Sequence, residues 1–459
     1  MILHSVKQFW RYFTMSFCPI YVPVGVPTYH LETAQNQFDR SCTMLRSIDE
    51  DFVCPEEMLL TLDKLRSYLD GRSPDLIVFQ NLTFANAAYM AEVLRRYDCP
   101  VLLWTLREPV IDGGRLRLNS LTGAYSAANT LASFDSRAFN WCFGAPEEES
   151  VISAVKATVE AAKVKKAMRS LTMSAIGHTP QGFGFGRALD HELMNTFGVE
   201  LESIEARELI DQAKSYTDEE CAEYLRQTEN CTCGLDRTPE NNRLDHARLL
   251  KAYTDYVRSH HIGALASRCW PDFFTSFGTP VCTVLSMLND EGVAAACEAD
   301  IYGALSMWIG MQLSQNPVFF GDPVAMDEEE SSITYWHCGA AACSLARRDT
   351  GAVVGVHPNR KIGPAMDFGC ESFPEATVFR IGRKPDGSFR FFIAEGSVMD
   401  KPKQFIGTSI VIKTDRSSRE VVEDSIRSGF EPHFVIIRGH HAETLKVLAE
   451  MFGFEVCKY

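Results

Sequence analysis

From residue 16 to about residue 320, short apolar runs alternate with longer amphipathic stretches, and no other feature limits the fold as tightly. Ser16–Val24, Asp75–Phe79 and Pro100–Trp104 read as buried strands. Between them, Leu31–Arg46 reads as a helix, Pro55 with two acids opens a second, and Thr83 caps a third that runs to about Tyr97. Proline in a first turn with acids beside it suits the positive end of a helix. Ser150–Ala167 is a helix that closes this region. Leu171–Ile176 and Val199–Ile204 then start a second sheet, with helices to about Phe197 and over Ala206–Gln227 and Asn241–Ser259. Strands separated by helices pair in parallel, with helices covering the faces of the sheet.

The chemistry concentrates between Ile262 and Asp322. Ile262–Ala266 is a short apolar strand, Val281–Leu285 a second apolar run and Ala299–Gln315 a buried helix. Val318–Phe320 runs straight into Gly321-Asp322, which places Glu298 just before a helix and Asp322 just after a strand. In α/β sheets, strand ends and helix starts meet along one edge, and ligands bind in the crevice there. Two carboxylates at such an edge suit a divalent metal or proton transfer. Asp300 is placed to bond the first turn of its own helix rather than an ion. The glycine-rich run Gly177–Gly186 lacks the spacing of a dinucleotide fingerprint, so nucleotide binding is set aside.

Composition narrows the partners. A net charge of −15 argues against nucleic acid or an anionic membrane surface. No apolar run reaches the roughly 20 residues that span a bilayer. Residues 1–15 have no continuous apolar core, so they read as an N-terminal extension rather than a signal peptide. The 15 cysteines follow no framework, which fits buried, reduced thiols in a cytoplasmic protein. Neither Cys231-Thr-Cys233 nor Cys338 with Cys343 has the paired spacing of a structural zinc site.

After Asp322 the pattern changes. Asp327–Glu330 is a charged run that reads as a linker. Beyond it, Ala352–Val356, Ala376–Ile381, Phe389–Glu395 and Thr408–Lys413 alternate, with the turn Pro385-Asp-Gly387 between two of them. This reads as a mostly antiparallel β domain, barrel or sandwich. It ends with His433–Ile437, a helix from about Ala442 to Phe452 and a last strand, Phe454–Cys457. The domains are therefore 16–167, 168–321 carrying Glu298, and 322–459 carrying His433.

Glu298, Asp322 and one of His337 or His433 are the candidate ligands at element ends. Carboxylate oxygens with imidazole suit Mn²⁺, Mg²⁺ or Co²⁺ better than metals that favour thiolate. His440-His441 reads as exposed or as part of a helix cap.

Several motifs carry a resemblance. Arg268-Cys-Trp-Pro, Leu288-Asn-Asp-Glu-Gly292, Ala296-Cys-Glu298-Ala-Asp300, Pro432-His433-Phe-Val-Ile-Ile, Gly453-Phe-Glu-Val and Arg117-Leu-Asn119-Ser-Leu-Thr-Gly123 are similar to the L-fucose isomerase and L-arabinose isomerase superfamily. The resemblance extends over the chain from about Met15. It implies two Rossmann-like parallel-sheet domains followed by a C-terminal β-barrel, and a manganese-dependent aldose–ketose isomerase. It makes Glu298, Asp322 and His433 metal ligands. His337 is the counterpart of a further histidine used in the arabinose branch. It also implies a homo-oligomer, a hexamer or trimer, with active sites between subunits. Asp322 leans to the fucose branch and His337 to the arabinose branch. L-fucose, L-arabinose, D-arabinose and a sulfonated hexose therefore all stand as substrates.

The expected reaction moves a proton from C2 to C1 of an open-chain sugar through a cis-enediol(ate), with the metal as Lewis acid and Glu298 and Asp322 sharing the proton transfer. Arg268, Trp270 and Trp336 are candidate sugar contacts, and Trp104, Glu108 and Asn119 are candidates for reaching a neighbouring subunit's site. Two other readings compete: a non-catalytic two-lobed sugar-binding protein, and another metal-enediolate enzyme such as an epimerase or aldolase.

Overall fold

A computed structural model describes residues 16–134 and 139–459. The N-terminal extension expected over residues 1–15 lies outside the described residues. The described chain forms two compact units, residues 16–166 with Glu443–Glu455, and residues 167–442 with 456–459.

The first unit is built on four parallel strands, Pro19–Val24, Leu76–Asn81, Val101–Thr105 and Asn140–Phe143, paired in chain order. The first three are buried at every residue. That is why they read as continuous apolar runs, since helices cover both faces. Phe38 of Leu31–Ile48 and Val151, Val155 and Val159 of Glu149–Met168 pack on one face. Leu65, Tyr89 and Val93 pack on the other. Two expected helix starts are corrected. Pro55 precedes a loop, and the helix begins at Leu62 with Thr61 as its cap. Asn86, not Thr83, caps the helix Ala87–Leu94, because the Thr83 hydroxyl accepts the Val26 N–H at 2.9 Å. The helix Ala442–Phe452 belongs to this unit, and its Thr444 hydroxyl bonds Glu160 at 3.0 Å.

The second unit holds another four-stranded parallel sheet. Its order is Glu200–Ile204, Thr172–Ile176, Ile262–Ser267, Ala294–Cys297, so the chain moves out to one side and then returns past its starting strand. The apolar run at Val281–Leu285 is part of a buried helix, Cys282–Asp290. The strand that follows is Ala-Ala-Ala-Cys, which has little intrinsic strand preference to signal it. The expected helix Ala206–Gln227 is two helices, Ala206–Ser215 and Asp218–Cys231, separated where Thr217 caps the second with a capping box.

Seven mostly antiparallel strands complete this unit. Phe373–Arg383 pairs with Phe434–Arg438, which pairs with Phe319–Asp327, then Ser332–His337, Thr408–Thr414 and Phe389–Val398. Phe389–Val398 also pairs with Phe373–Arg383, so these six strands form a closed circuit of pairing. Glu455–Lys458 adds a seventh. Asp322 lies within a strand, opposite Trp336, rather than just beyond one. Asp327–Glu330 is a hairpin turn, not a linker: the Asp327 carboxylate accepts the N–H groups of Glu329 and Glu330 at 2.9 Å each.

One helix joins the two sheets of this unit. Ile301–Ser314 is buried along nearly its whole length, so it is apolar all round. It touches the parallel sheet at Ile262–Ser267 and Ala294–Cys297, and the antiparallel sheet at Phe373–Arg383 and Phe434–Arg438. Gly310 allows the second approach, because a Cβ there would stand 2.8 Å from Ile437. Among the described residues, no helix is long and apolar enough to cross a membrane.

Candidate metal and proton-transfer site

Glu298 leaves the end of the strand Ala294–Cys297 in a left-handed conformation, φ 60°, and Ala299 follows at φ 56°. Two such residues in sequence cost about 1–3 kcal/mol each. The turn they make points the chain into the helix Ile301–Ser314 and brings the Glu298 carboxylate to His433. The Glu298 Oε2 lies 3.0 Å from His433 Nε2, and Asp322 Oδ1 lies 3.5 Å from the same nitrogen. His337 offers a ligand atom within 4.8 Å of those of Glu298 and His433. Glu298 and Asp322 remain partly exposed, while both histidines are buried.

His433 is held from behind. Its Nδ1 lies 2.9 Å from Asp300 Oδ2, which fixes the ring with Nε2 toward Glu298. The Asp300 carboxylate is itself fully buried and receives Arg380 at 2.5 and 3.1 Å, and the Gly303 N–H at 2.9 Å. Burial pushes the Asp300 carboxyl up, but the Arg380 guanidinium and His433 outweigh it and hold the carboxyl well below the usual range. The expected cap on the first helical turn is present, and the same carboxylate also orients the histidine. Gly303 makes room for it, since a Cβ would stand 2.6 Å from the Phe320 ring and 2.7 Å from Asp300. Phe320 and Phe185 flank the His433 ring at 4.7 and 5.6 Å. Gly186, next to Phe185, passes so close that a Cβ would stand 2.8 Å from the Asp300 Cα.

This group favours positive charge at its centre. Burial opposes a charged His433, yet Asp300 and Glu298 raise its pKa to about 10. Burial likewise opposes a charged His337, yet its neighbours, Cys338 first and then Asp322 and Glu298, raise it to about 9. Burial raises the Asp322 carboxyl, and the two histidines only partly offset that. A divalent cation answers the same demand. An octahedral ion with bonds of about 2.1 Å spaces adjacent ligands about 3 Å apart, close to the separations seen here. Two carboxylates with imidazole suit Mn²⁺, Mg²⁺ or Co²⁺. The donor set therefore fits such an ion.

The other candidates fall in different places. Arg268 bonds the Trp270 carbonyl at 3.2 Å and Asp272 at 2.8 Å. Trp270 is half-buried, edge-on to Phe183 at 6.2 Å. Trp336 is half-buried beside Asp322 in the sheet and donates its indole N–H to the Ile406 carbonyl at 2.8 Å. In the first unit, Trp104 is fully buried and donates to the Gly144 carbonyl. Glu108 accepts the backbone N–H groups of Arg117, Leu118 and Asn119. Asn119, at φ 52°, bonds the Tyr29 hydroxyl. His440 turns to Glu395 at 3.3 Å and the His441 ring to the Arg438 carbonyl, away from His433. Arg380 was absent from the sequence candidates, although a lone arginine inside the apolar run Ala376–Ile381 is a visible signal of a buried charge partner.

Comparison with known proteins adds independent information. The L-fucose isomerase C-terminal domain family matches residues 357–459. A sulfoquinovose isomerase from Clostridium sp. (strain MSTE9) is 59% identical over 439 residues, covering 96% of this chain and 98% of the relative. A sulfoquinovose isomerase from Priestia aryabhattai is 35% identical over 444 residues, covering 96% and 98%. One from Alkalicoccus urumqiensis is 34% identical over 440 residues, covering 95% and 98%.

Proposed function

The chain belongs to the family of the sulfoquinovose isomerases, sugar aldose–ketose isomerases related to L-fucose isomerase, and from that premise we propose that its own substrate is sulfoquinovose. The product is the corresponding 2-ketose. Of the sugars left open by the sequence, the sulfonated hexose is favoured by the 59% identity, which extends over nearly all of both chains.

The reaction is carried by one observation, the meeting of two carboxylates on one imidazole nitrogen, Glu298 at 3.0 Å and Asp322 at 3.5 Å from His433 Nε2. Glu298, Asp322 and His433, with His337 beside them, would hold a divalent cation, Mn²⁺ first and Mg²⁺ or Co²⁺ as alternatives. When bound, the cation supplies Lewis-acid polarisation of the sugar's O1 and O2. The protein's own groups move the protons. One carboxylate takes the proton from C2, the C–H electrons form the C1–C2 double bond of the cis-enediol, and the aldehyde oxygen gains a proton. The carboxylate then delivers a proton to C1 while the C2 hydroxyl proton leaves and the ketone forms. The raised pKa of Asp322 brings it closer to the working pH, which suits a group that must both take and give a proton. Asp300 and Arg380 hold His433 in place. Phe185 and Phe320 exclude water from its ring faces.

Arg268, Trp270 and Trp336 are our candidate sugar contacts. Trp104, Glu108 and Asn119 belong to that set only if they meet the site of another copy in a hexamer or trimer. The two parallel sheets and the closed circuit of strands support two Rossmann-like domains and a β-barrel, with domains over 16–167, 168–321 and 322–459. Fifteen cysteines that follow no disulfide framework support a reducing compartment, the cytoplasm.

The test is a panel of sulfoquinovose, L-fucose, L-arabinose and D-arabinose in D₂O, with added Mn²⁺ and after chelation. We expect metal-dependent conversion of sulfoquinovose, with deuterium entering C1 of the ketose. Turnover of L-fucose with sulfoquinovose untouched would reject the substrate. Inversion at one carbon without a ketose would reject the reaction in favour of an epimerase. Binding of sugar without turnover or metal would favour the two-lobed binding protein.

A further inference from the structure

Next to Glu298, the strand Ala294–Cys297 ends in a thiol. Cys297, Cys338 and His337 are all buried, and each offers a ligand atom within 4.8 Å of the others. Cys282, Cys338 and His357 form a second group of the same kind. Tautomer chemistry separates the two. His357 Nδ1 accepts the backbone N–H groups of Asn359 and Arg360 at 3.3 Å each, so its ring proton sits on Nε2 and no lone pair is left for an ion. His337 turns its Nδ1 to a thiol instead, 3.4 Å from Cys338 Sγ. That leaves Nε2 as the nitrogen free for the Glu298 and His433 side.

We propose that Cys297, Cys338 and Nδ1 of His337 form a second, sulfur-rich metal site for a thiophilic cation such as Zn²⁺ or Cd²⁺, and that filling it withdraws His337 from the oxygen-rich site. Thiolate and imidazole select such ions, whereas carboxylates select harder ones, so the two sites differ in kind. Binding forms two metal–sulfur bonds and one metal–nitrogen bond, and it releases the protons held by the two thiols and by Nδ1 of His337, leaving the ring neutral with its one proton on Nε2. Water completes the coordination. The coupling follows from the ring itself. A neutral imidazole has one lone pair. With Nδ1 on the thiophilic cation, Nε2 carries the proton and no longer serves as a ligand beside Glu298 and His433. A thiophilic ion thus weakens the hold on Mn²⁺ without occupying its place.

The experiment uses the full chain loaded with Mn²⁺ and titrated with Cd²⁺, in a Cys231→Ser, Cys233→Ser background. That background removes the two exposed thiols, one of which lies 3.7 Å from Cys343. Two signals are read, the ultraviolet sulfur-to-cadmium charge-transfer band and free Mn²⁺ by electron paramagnetic resonance. We expect the band to saturate at one cadmium per chain while Mn²⁺ affinity falls about tenfold or more. Cys338→Ser and Cys297→Ser should each abolish the band, and thermal melting reports whether each variant folds. If one does not fold, the other decides. A band unchanged in either folded variant overturns the site, as does Mn²⁺ displacement with no sulfur band. A band without loss of Mn²⁺ affinity overturns the sharing of His337. Neither signal needs a sugar, so a chain inactive on sulfoquinovose would leave this inference standing.

Discussion

The two parallel sheets have the same number of strands and very different consequences. In the first, Pro19–Val24, Leu76–Asn81, Val101–Thr105 and Asn140–Phe143 pair in chain order, and the sheet is extended in one direction only. In the second, the strand order reverses between Thr172–Ile176 and Ile262–Ser267. At a reversal, the loops leaving two adjacent strands turn to opposite sides and leave a crevice at their carboxyl ends. Those loops here are the one carrying Phe183, Phe185 and Gly186 and the one carrying Arg268 and Trp270. Glu298 stands at the end of the neighbouring strand. The first sheet has a polar side chain near a strand end too, Gln80, but uses it internally. Gln80 bonds Tyr21 and Ser41, and Asn81 gives its carbonyl to Ser120. Similar strands thus make a scaffold in one unit and a site in the other, and the order of the strands makes the difference.

This contrast makes predictions of decreasing size. Glu298→Gln keeps the shape and removes the proposed proton acceptor and metal ligand. Turnover should fall about a thousandfold or more with the melting temperature nearly unchanged. Turnover within tenfold of the parent would remove Glu298 from the chemistry and the reversal from its role. Arg380→Met leaves the Asp300 carboxylate buried without its cation. Denaturant unfolding should show a loss of about 3–5 kcal/mol. A loss below 1 kcal/mol would mean that Asp300 does not depend on that ion pair.

A third prediction concerns pH. His246 is fully buried, and burial lowers its pKa to about 4. The native state therefore excludes a proton that the unfolded chain binds near pH 6.5. Stability from this group is complete above pH 6.5 and is lost as the pH falls toward 4, by about 3 kcal/mol in all. Urea midpoints over that window should flatten in His246→Gln, and an unchanged slope would assign the acid sensitivity elsewhere. Gln80→Ala, at the end of a strand in the first sheet, strands the Tyr21 and Ser41 hydroxyls. It should cost about 2 kcal/mol with turnover per folded molecule unchanged, the reverse of the Glu298 result. Smallest, Asn86→Ala removes the cap of Ala87–Leu94 and should cost about 1 kcal/mol.

Much of this was legible before the fold was known. Buried strands announce themselves as apolar runs, so Pro19–Val24, Leu76–Asn81 and Ile262–Ser267 were readable from periodicity. Ala294–Cys297 was not, because alanine packs in a strand there only through its neighbours. The caps at Thr61 and Asn86 were misplaced because several hydroxyl and amide side chains compete near each helix start. Which one bonds the helix depends on what else is in reach, as Thr83 and Val26 show.

Glu298 and Asp322 were named as candidates from their places at element ends, the motif resemblance selected His433, and the structure brings the three side chains together. The support behind them was out of reach. Asp300 meets Arg380 across 80 residues and His433 across 133, and no local pattern records such a pairing. The same holds for Cys297, Cys338 and His337, which have no metal-site spacing in sequence yet converge in space. By itself the sequence determined most of the secondary elements, the parallel character of two sheets and the inventory of acids, imidazoles and thiols, because these follow from neighbours a few residues apart. Only the tertiary structure decided the order of the strands and which carboxylate faces which histidine. Those depend on contacts between distant segments, where burial turns a hydrogen bond or a charge pair into a requirement that no short stretch of chain expresses.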